Sequence, residues 1–180
     1  MSITKKTAKR ILRRASLYDL TGEKPKRDRK YLLVCLPFDP DEFQIAQRML
    51  FSFIIENALF IKVGVYQSFF PILKNIDLSL FFPILNSDLD ESRLPFGHLT
   101  QDVFQYEYSA AVDLSSDPNP TNAYLVYNCG APMRIGFHTS ATASIYNLLI
   151  KKNEDVIEPS YQRIKSLLTD QIRILSGELK

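Results

Sequence analysis

Apolar positions repeat in two different rhythms along this chain. Ile3, Thr7, Ala8, Ile11, Leu12, Ala15 and Tyr18 recur at helical spacing, with Lys5, Lys6, Lys9, Arg10, Arg13 and Arg14 between them. That pattern predicts a short basic amphipathic helix over 4–18. Residues 21–30 (TGEKPKRDRK) hold Gly22, Pro25 and seven charges, and read as a linker. From Tyr31 the rhythm changes. Tyr31–Leu36 (YLLVCL) is a continuous apolar run of strand length, as expected of a strand buried on both faces. Asp39-Pro40-Asp41-Glu42 follows with an N-cap acid, a proline at the first helical position and a glutamate three residues after the cap. A long helix to Asn57 is predicted, burying Phe43, Ala46, Leu50, Phe53 and Ile54. Leu59–Tyr66 is a second strand and Leu78–Leu85 a third, which Pro83 either places at a sheet edge or ends early. Residues 86–107, with Pro95, Gly97 and His98, read as a connection holding one short helix. Ser109–Leu114 is another strand, and Asn119-Pro120 opens a helix through Asn128. Met133–His138 and Ile145–Ile150 complete the strands. A final amphipathic helix over Pro159–Ser176 aligns Tyr161, Ile164, Leu168, Ile172 and Leu175, with Gly177 as its stop. Apolar strands alternating with helices predict an α/β three-layer sandwich with a mostly parallel sheet.

Composition adds little to this, and charge adds more. The 180 residues are 46% hydrophobic and 23% charged, ordinary values for one globular domain. Residues 1–30 hold eleven of the Lys and Arg against three acids, a net of +8, and the other 150 carry eleven bases against seventeen acids, a net of −6. The split divides a basic arm, 1–30, from a domain over 31–180. Three uses of the arm stay open: docking on its own domain or a neighbour, holding anionic lipid heads, or holding nucleic acid. Its thin apolar stripe argues against firm membrane insertion, and the acidic body argues against nucleic acid. Two cysteines, Cys35 and Cys129, lie in apolar runs and suggest a reducing compartment. No window approaches the ~18 apolar residues of a membrane span, and no secretory h-region follows the basic start. The expected location is cytoplasmic, with the inner membrane surface open to the arm.

Open α/β sheets bind ligands at the carboxyl ends of their strands. The loop Pro37–Glu42 (PFDPDE) lacks glycine and sets three acids at a helix N-terminus, where they would repel a phosphate. No nucleotide cofactor is expected there. Asp113–Asn122 (DLSSDPNPTN) offers Asp113, Ser115, Ser116, Asn119, Thr121 and Asn122, a polar rim suited to hydroxyl-rich ligands such as sugars. The same residue types also cap helices and close turns. His98 and His138 have no metal-site spacing, the cysteines sit as packing residues, and no serine lies in a G-x-S-x-G turn.

Tyr108–Phe137 (YSAAVDLSSDPNPTNAYLVYNCGAPMRIGF) resembles the segment that closes the N-terminal domain of family 9 glycosyltransferases, the ADP-heptose:lipopolysaccharide heptosyltransferases. The shared pattern is an apolar strand ending in Asp, a polar turn, a helix, and then Cys129-Gly130-Ala131-Pro132-Met133-Arg134-Ile135-Gly136-Phe137. The resemblance implies a Rossmann-like domain equivalent to one half of a GT-B glycosyltransferase. It also places Asp41 where the family carries the base that acts on the acceptor hydroxyl. Pro40 stands in place of the family's glycine, and Leu36, Pro37 and Phe38 replace small polar residues. The family has two such domains, and this sequence carries the counterpart of the first. Three functions follow: a non-catalytic binding or assembly module, an acceptor-side subunit whose donor domain lies on another chain, or a peripheral protein working through its basic arm. Phe38, Phe69, Phe70, Phe81, Phe82 and Phe96 fall near loops and strand ends. They lead to the expectation of a homodimer or hetero-complex through the open cleft face.

Overall fold

In the computed structural model, residues 3–18, 30–73, 77–152 and 156–178 are described. The linker expected at 21–30 lies outside them except for Lys30, which opens the first strand. Among these residues six strands form one all-parallel sheet: β1 (Lys30–Cys35), β2 (Ile61–Tyr66), β3 (Phe81–Ile84), β4 (Glu107–Asp113), β5 (Met133–Phe137) and β6 (Leu148–Ile150). Their order is β3-β2-β1-β4-β5-β6. Among the described residues five α-helices accompany them: α1 (Lys5–Tyr18), α2 (Pro40–Glu56), α3 (His98–Phe104), α4 (Pro120–Asn128) and α5 (Glu158–Ser176). This is a three-layer, Rossmann-like α/β fold.

Alternation along the strands builds the layers. Leu32 and Val34 on β1, Val63 and Val65 on β2, and Ala110 and Val112 on β4 join α2 and α5 in one buried cluster. Leu33, Cys35 and Ala111 point the other way, into a second cluster with α1, α3 and α4. The continuous apolar run in β1 reflects burial on both faces. Phe43, Ala46, Leu50, Phe53 and Ile54 are buried on α2, as their spacing predicts. On α5, Tyr161, Ile164, Leu168 and Ile172 are buried and Leu175 is half-buried. Gly177 ends that helix in the left-handed region, at φ 80°.

Two strands are shorter than their apolar runs by three residues or more, and β2 starts two residues later than its run, at Ile61. Leu78–Leu80 is a 3-10 turn, capped by the Asp77 carboxylate accepting from the Ser79 N–H at 2.9 Å, and β3 begins only at Phe81. Pro83 is exposed on this edge strand, where its missing N–H breaks no ladder. Ile145 and Tyr146 do not extend β6. They bury themselves in a turn, and the Asn147 side chain takes over local backbone groups, accepting from Arg134 N (2.8 Å) and donating to Pro132 O (2.7 Å).

The basic helix docks on its own domain. Ala8 and Ile11 are buried in the α4-side cluster, and Ile3 N donates to Pro118 O at 3.1 Å. Arg14 and Arg10 reach Asp90 at 3.1 and 3.7 Å, and Arg10 also bonds Ser92. Lys5, Lys6 and Lys9 face solvent. No helix among the described residues is long and apolar enough to cross a membrane.

Candidate functional site

The chain runs outward from β1 to β3 and then returns to place β4 beside β1. Loops leaving the two central strands therefore diverge, which makes their carboxyl ends the switch point where folds of this kind have their ligand crevice. Asp113 closes β4 at this point, with its side chain fully buried. Its Oδ1 accepts from Ser115 N (2.9 Å) and Asn122 Nδ2 (3.1 Å), and its Oδ2 from the Tyr146 hydroxyl (2.7 Å). Asn122 also donates to Leu36 O at 2.9 Å and Ser115 Oγ at 3.2 Å, which ties α4 to both central strands. Asn119 caps α4 by accepting from Asn122 N at 2.9 Å, and its own amide donates to Ser115 Oγ at 3.1 Å. Burial pushes the Asp113 carboxyl up to about 6, against the opposing pull of its hydrogen bonds from Tyr146, Ser115 and Asn122.

Outside this layer lies a second. Glu42, in the first turn of α2, accepts from Ser116 N at 3.0 Å and from the Ser116 hydroxyl. Lys152, just past β6, donates to Ser116 Oγ at 2.8 Å. Asp39 caps α2 by accepting from Asp41 N and Glu42 N, both at 3.0 Å. Glu42 spends its carboxylate on Ser116 across the crevice rather than on the backbone of the cap. Asp41 is exposed, and among the described residues its carboxylate has no hydrogen-bond or ion-pair partner. Pro37 is buried, and Phe38 stacks on Tyr66 with ring centroids 4.5 Å apart and planes at 19°.

The six rim residues are thus brought together, but they face one another. Asp113, Ser115, Asn119 and Asn122 form one buried network, Ser116 turns toward Glu42 and Lys152, and Thr121 donates to Arg93 O at 2.8 Å. The CGAPMRIGF segment supports the network from behind. Arg134 donates to Ile145 O (2.9 Å) and Ala131 O (3.4 Å), fixing the turn that carries Tyr146. A Cβ on Gly136 would sit 2.3 Å from the Tyr146 ring, so only glycine lets that ring pass and reach Asp113.

His98 and His138 are exposed, and no group of three metal-ligating side chains occurs among the described residues. Cys35 and Cys129 are buried free thiols, and burial pushes the Cys35 thiol well up, away from the reactive thiolate. Tyr146, Lys152 and, through its carbonyl, Arg93 take part in this network, and no sequence pattern marks them. Compared with family models, with curated proteins and with solved structures, the chain matches none.

Proposed function

We propose that the protein is a heptosyltransferase-like binding module that does not itself catalyse glycosyl transfer. One observation carries this reading: the polar side chains at the switch point bond mainly to one another, and Asn122 Oδ1, which has no partner, is itself buried. Asp113 and Asn122 are fully buried, Ser115 and Asn119 are less than a tenth exposed, and each is hydrogen-bonded within the network. A catalytic rim needs groups free to meet a substrate at hydrogen-bond distance. Asp41, the candidate base implied by the resemblance, stands in water in the first turn of α2 without a group to orient it, and Pro40 opens that turn. Phe38 and Pro37 fill the space beside β1 that a nucleotide-binding fold leaves for glycines and phosphate. What the face keeps is a rigid, laterally tied surface suited to holding a ligand. Incubation with ADP-heptose and other nucleotide-sugars, followed by nucleotide release, is expected to show no turnover above buffer. Turnover that disappears in Asp41→Asn would overturn the reading in favour of an acceptor-side enzyme.

A further inference from the structure

Next to the crevice, the loop after β3 holds an arginine in an unusual state. Arg93 has φ 62°, the sole positive value at a non-glycine among the described residues. Three neighbours impose it. Its N–H donates to Asp90 O (2.8 Å), its carbonyl accepts from buried Thr121 (2.8 Å), and the Leu89–Pro95 bridge closes the loop around it. The side chain is held as firmly. Its Nη1 donates to Asn86 Oδ1 at 2.8 Å, and the guanidinium carbon lies 5.6 Å from the centre of the Tyr66 ring. Asn86 is itself fixed, accepting from the Tyr66 hydroxyl (2.8 Å) and donating from its backbone to Gln67 Oε1 (3.0 Å).

No carboxylate among the described residues comes within ion-pair distance of this guanidinium. Of the acids of its own loop, Asp88 accepts from Leu85 N, Asp90 accepts from Arg14, Ser92 N and Leu94 N, and exposed Glu91 makes no ion pair with Arg93. Of five N–H donors on the fork, one has a protein acceptor. A half-buried guanidinium, clamped by neutral partners and left without a counter-charge, is preorganised for a planar or tetrahedral anion. We propose that Arg93, with Asn86 and Tyr66 positioning it, binds the anionic group of a small ligand, a phosphate or a carboxylate, at the carboxyl end of β2 and β3. The inference rests on the binding-module reading, but the two fail separately: nucleotide-sugar turnover would overturn that reading and leave the anion titration untouched.

The test is an NMR titration of the full 15N-labelled chain with inorganic phosphate and, separately, acetate at constant ionic strength. Saturable shifts of the Arg93 side-chain Nε–H and the Asn86 amide are expected, weakened about tenfold or more in Arg93→Gly. Tighter binding of phosphate identifies a phosphate ester as the ligand, and tighter binding of acetate identifies a carboxylate. Glycine suits φ 62°, so this variant should melt no lower than the wild type. Should Arg93→Gly fail to fold, Arg93→Gln drops the charge while keeping an N–H for Asn86, and the same criterion applies to it. Shifts that never saturate, or wild-type affinity in the charge-free variant, would overturn the proposal.

Discussion

At Asp113, loss of water outweighs three hydrogen bonds, and the imbalance has a measurable sign. The carboxyl moves from 3.8 up to about 6, so between these values the folded chain holds a proton that the unfolded chain has released. Stability therefore falls as pH rises through that window, and the full loss, about 3 kcal/mol, is reached above the folded value. Below the unfolded value both states are protonated and the penalty vanishes. Asp113→Asn keeps the shape and most of the hydrogen bonds without the charge. Thermal melts from pH 4 to pH 7 are expected to show the variant gaining on the wild type as pH rises. Asp77, which its Ser79 hydrogen bonds hold low, works in the opposite direction but is common to both proteins, so the difference isolates Asp113. Parallel profiles would show that the buried charge costs nothing. The energetics at Arg93 are also local: a left-handed non-glycine costs about 1–2 kcal/mol, and three neighbours hold it there.

Among the elements, α1 is attached differently from the rest. It is held to the domain by Ala8 and Ile11, by the Asp90 ion pairs, and by Ile3 N at Pro118. The ion pairs are partly exposed and weak, so burial of Ile11 is the main attachment. Ile11→Ala is expected to cost about 2–4 kcal/mol of docking and to speed proteolytic release of the arm at temperatures where the sheet stays folded. An unchanged cleavage rate would show that α1 is retained by other means. Because Asp90 also receives Ser92 N and Leu94 N, the arm and the Arg93 loop share one anchoring carboxylate. Most elements were legible in the sequence, because each strand and helix buries a stripe set by its own period. The caps at Asp39 and Asn119 and the edge proline at Pro83 were legible for the same local reason. What was not legible depends on distant partners. Ile145 and Tyr146 look like strand residues, yet they turn because Arg134 and Asn147 claim the backbone there and Gly136 leaves a gap for the ring. Glu42 looks like half of a capping box until Ser116 arrives from seventy-four residues away. The rim residues do lie close together, but the hydrogen bonds that turn them toward one another depend on Tyr146, which no spacing connects to Asp113.

Across the whole molecule, the apolar surface bears on self-association. The six phenylalanines at loops and strand ends do not form an open patch: Phe69, Phe81 and Phe82 are buried within one chain, Phe38 and Phe70 are half-buried, and Phe96 alone is exposed. Phe69 stacks on Phe43 at 4.1 Å, and Phe82 packs toward Tyr106 at 5.8 Å, so the chain supplies its own partners for these rings. Among the described residues eight large apolar side chains are left exposed, with Ile72 in the turn after β2 and Val156 before α5. Leu85 and Phe96 follow the carboxyl end of β3, beside the Arg93 loop. Ile55 and Leu59 close α2 and precede β2, and Leu78 precedes β3, all at the amino end. The start of α5 is anchored at the carboxyl end, where the Tyr161 hydroxyl donates to Leu114 O at 2.8 Å; its far end, bearing exposed Ile174, runs toward the amino end. Single exposed side chains distributed over these elements are small beside the roughly 1,000 Å² that a stable interface buries. Light scattering at micromolar concentration is therefore expected to return the 20.7 kDa mass of one chain. A doubled mass that persists on dilution, and that Leu59→Asp or Phe96→Asp abolishes, would overturn this expectation and show which end of the sheet the second copy covers.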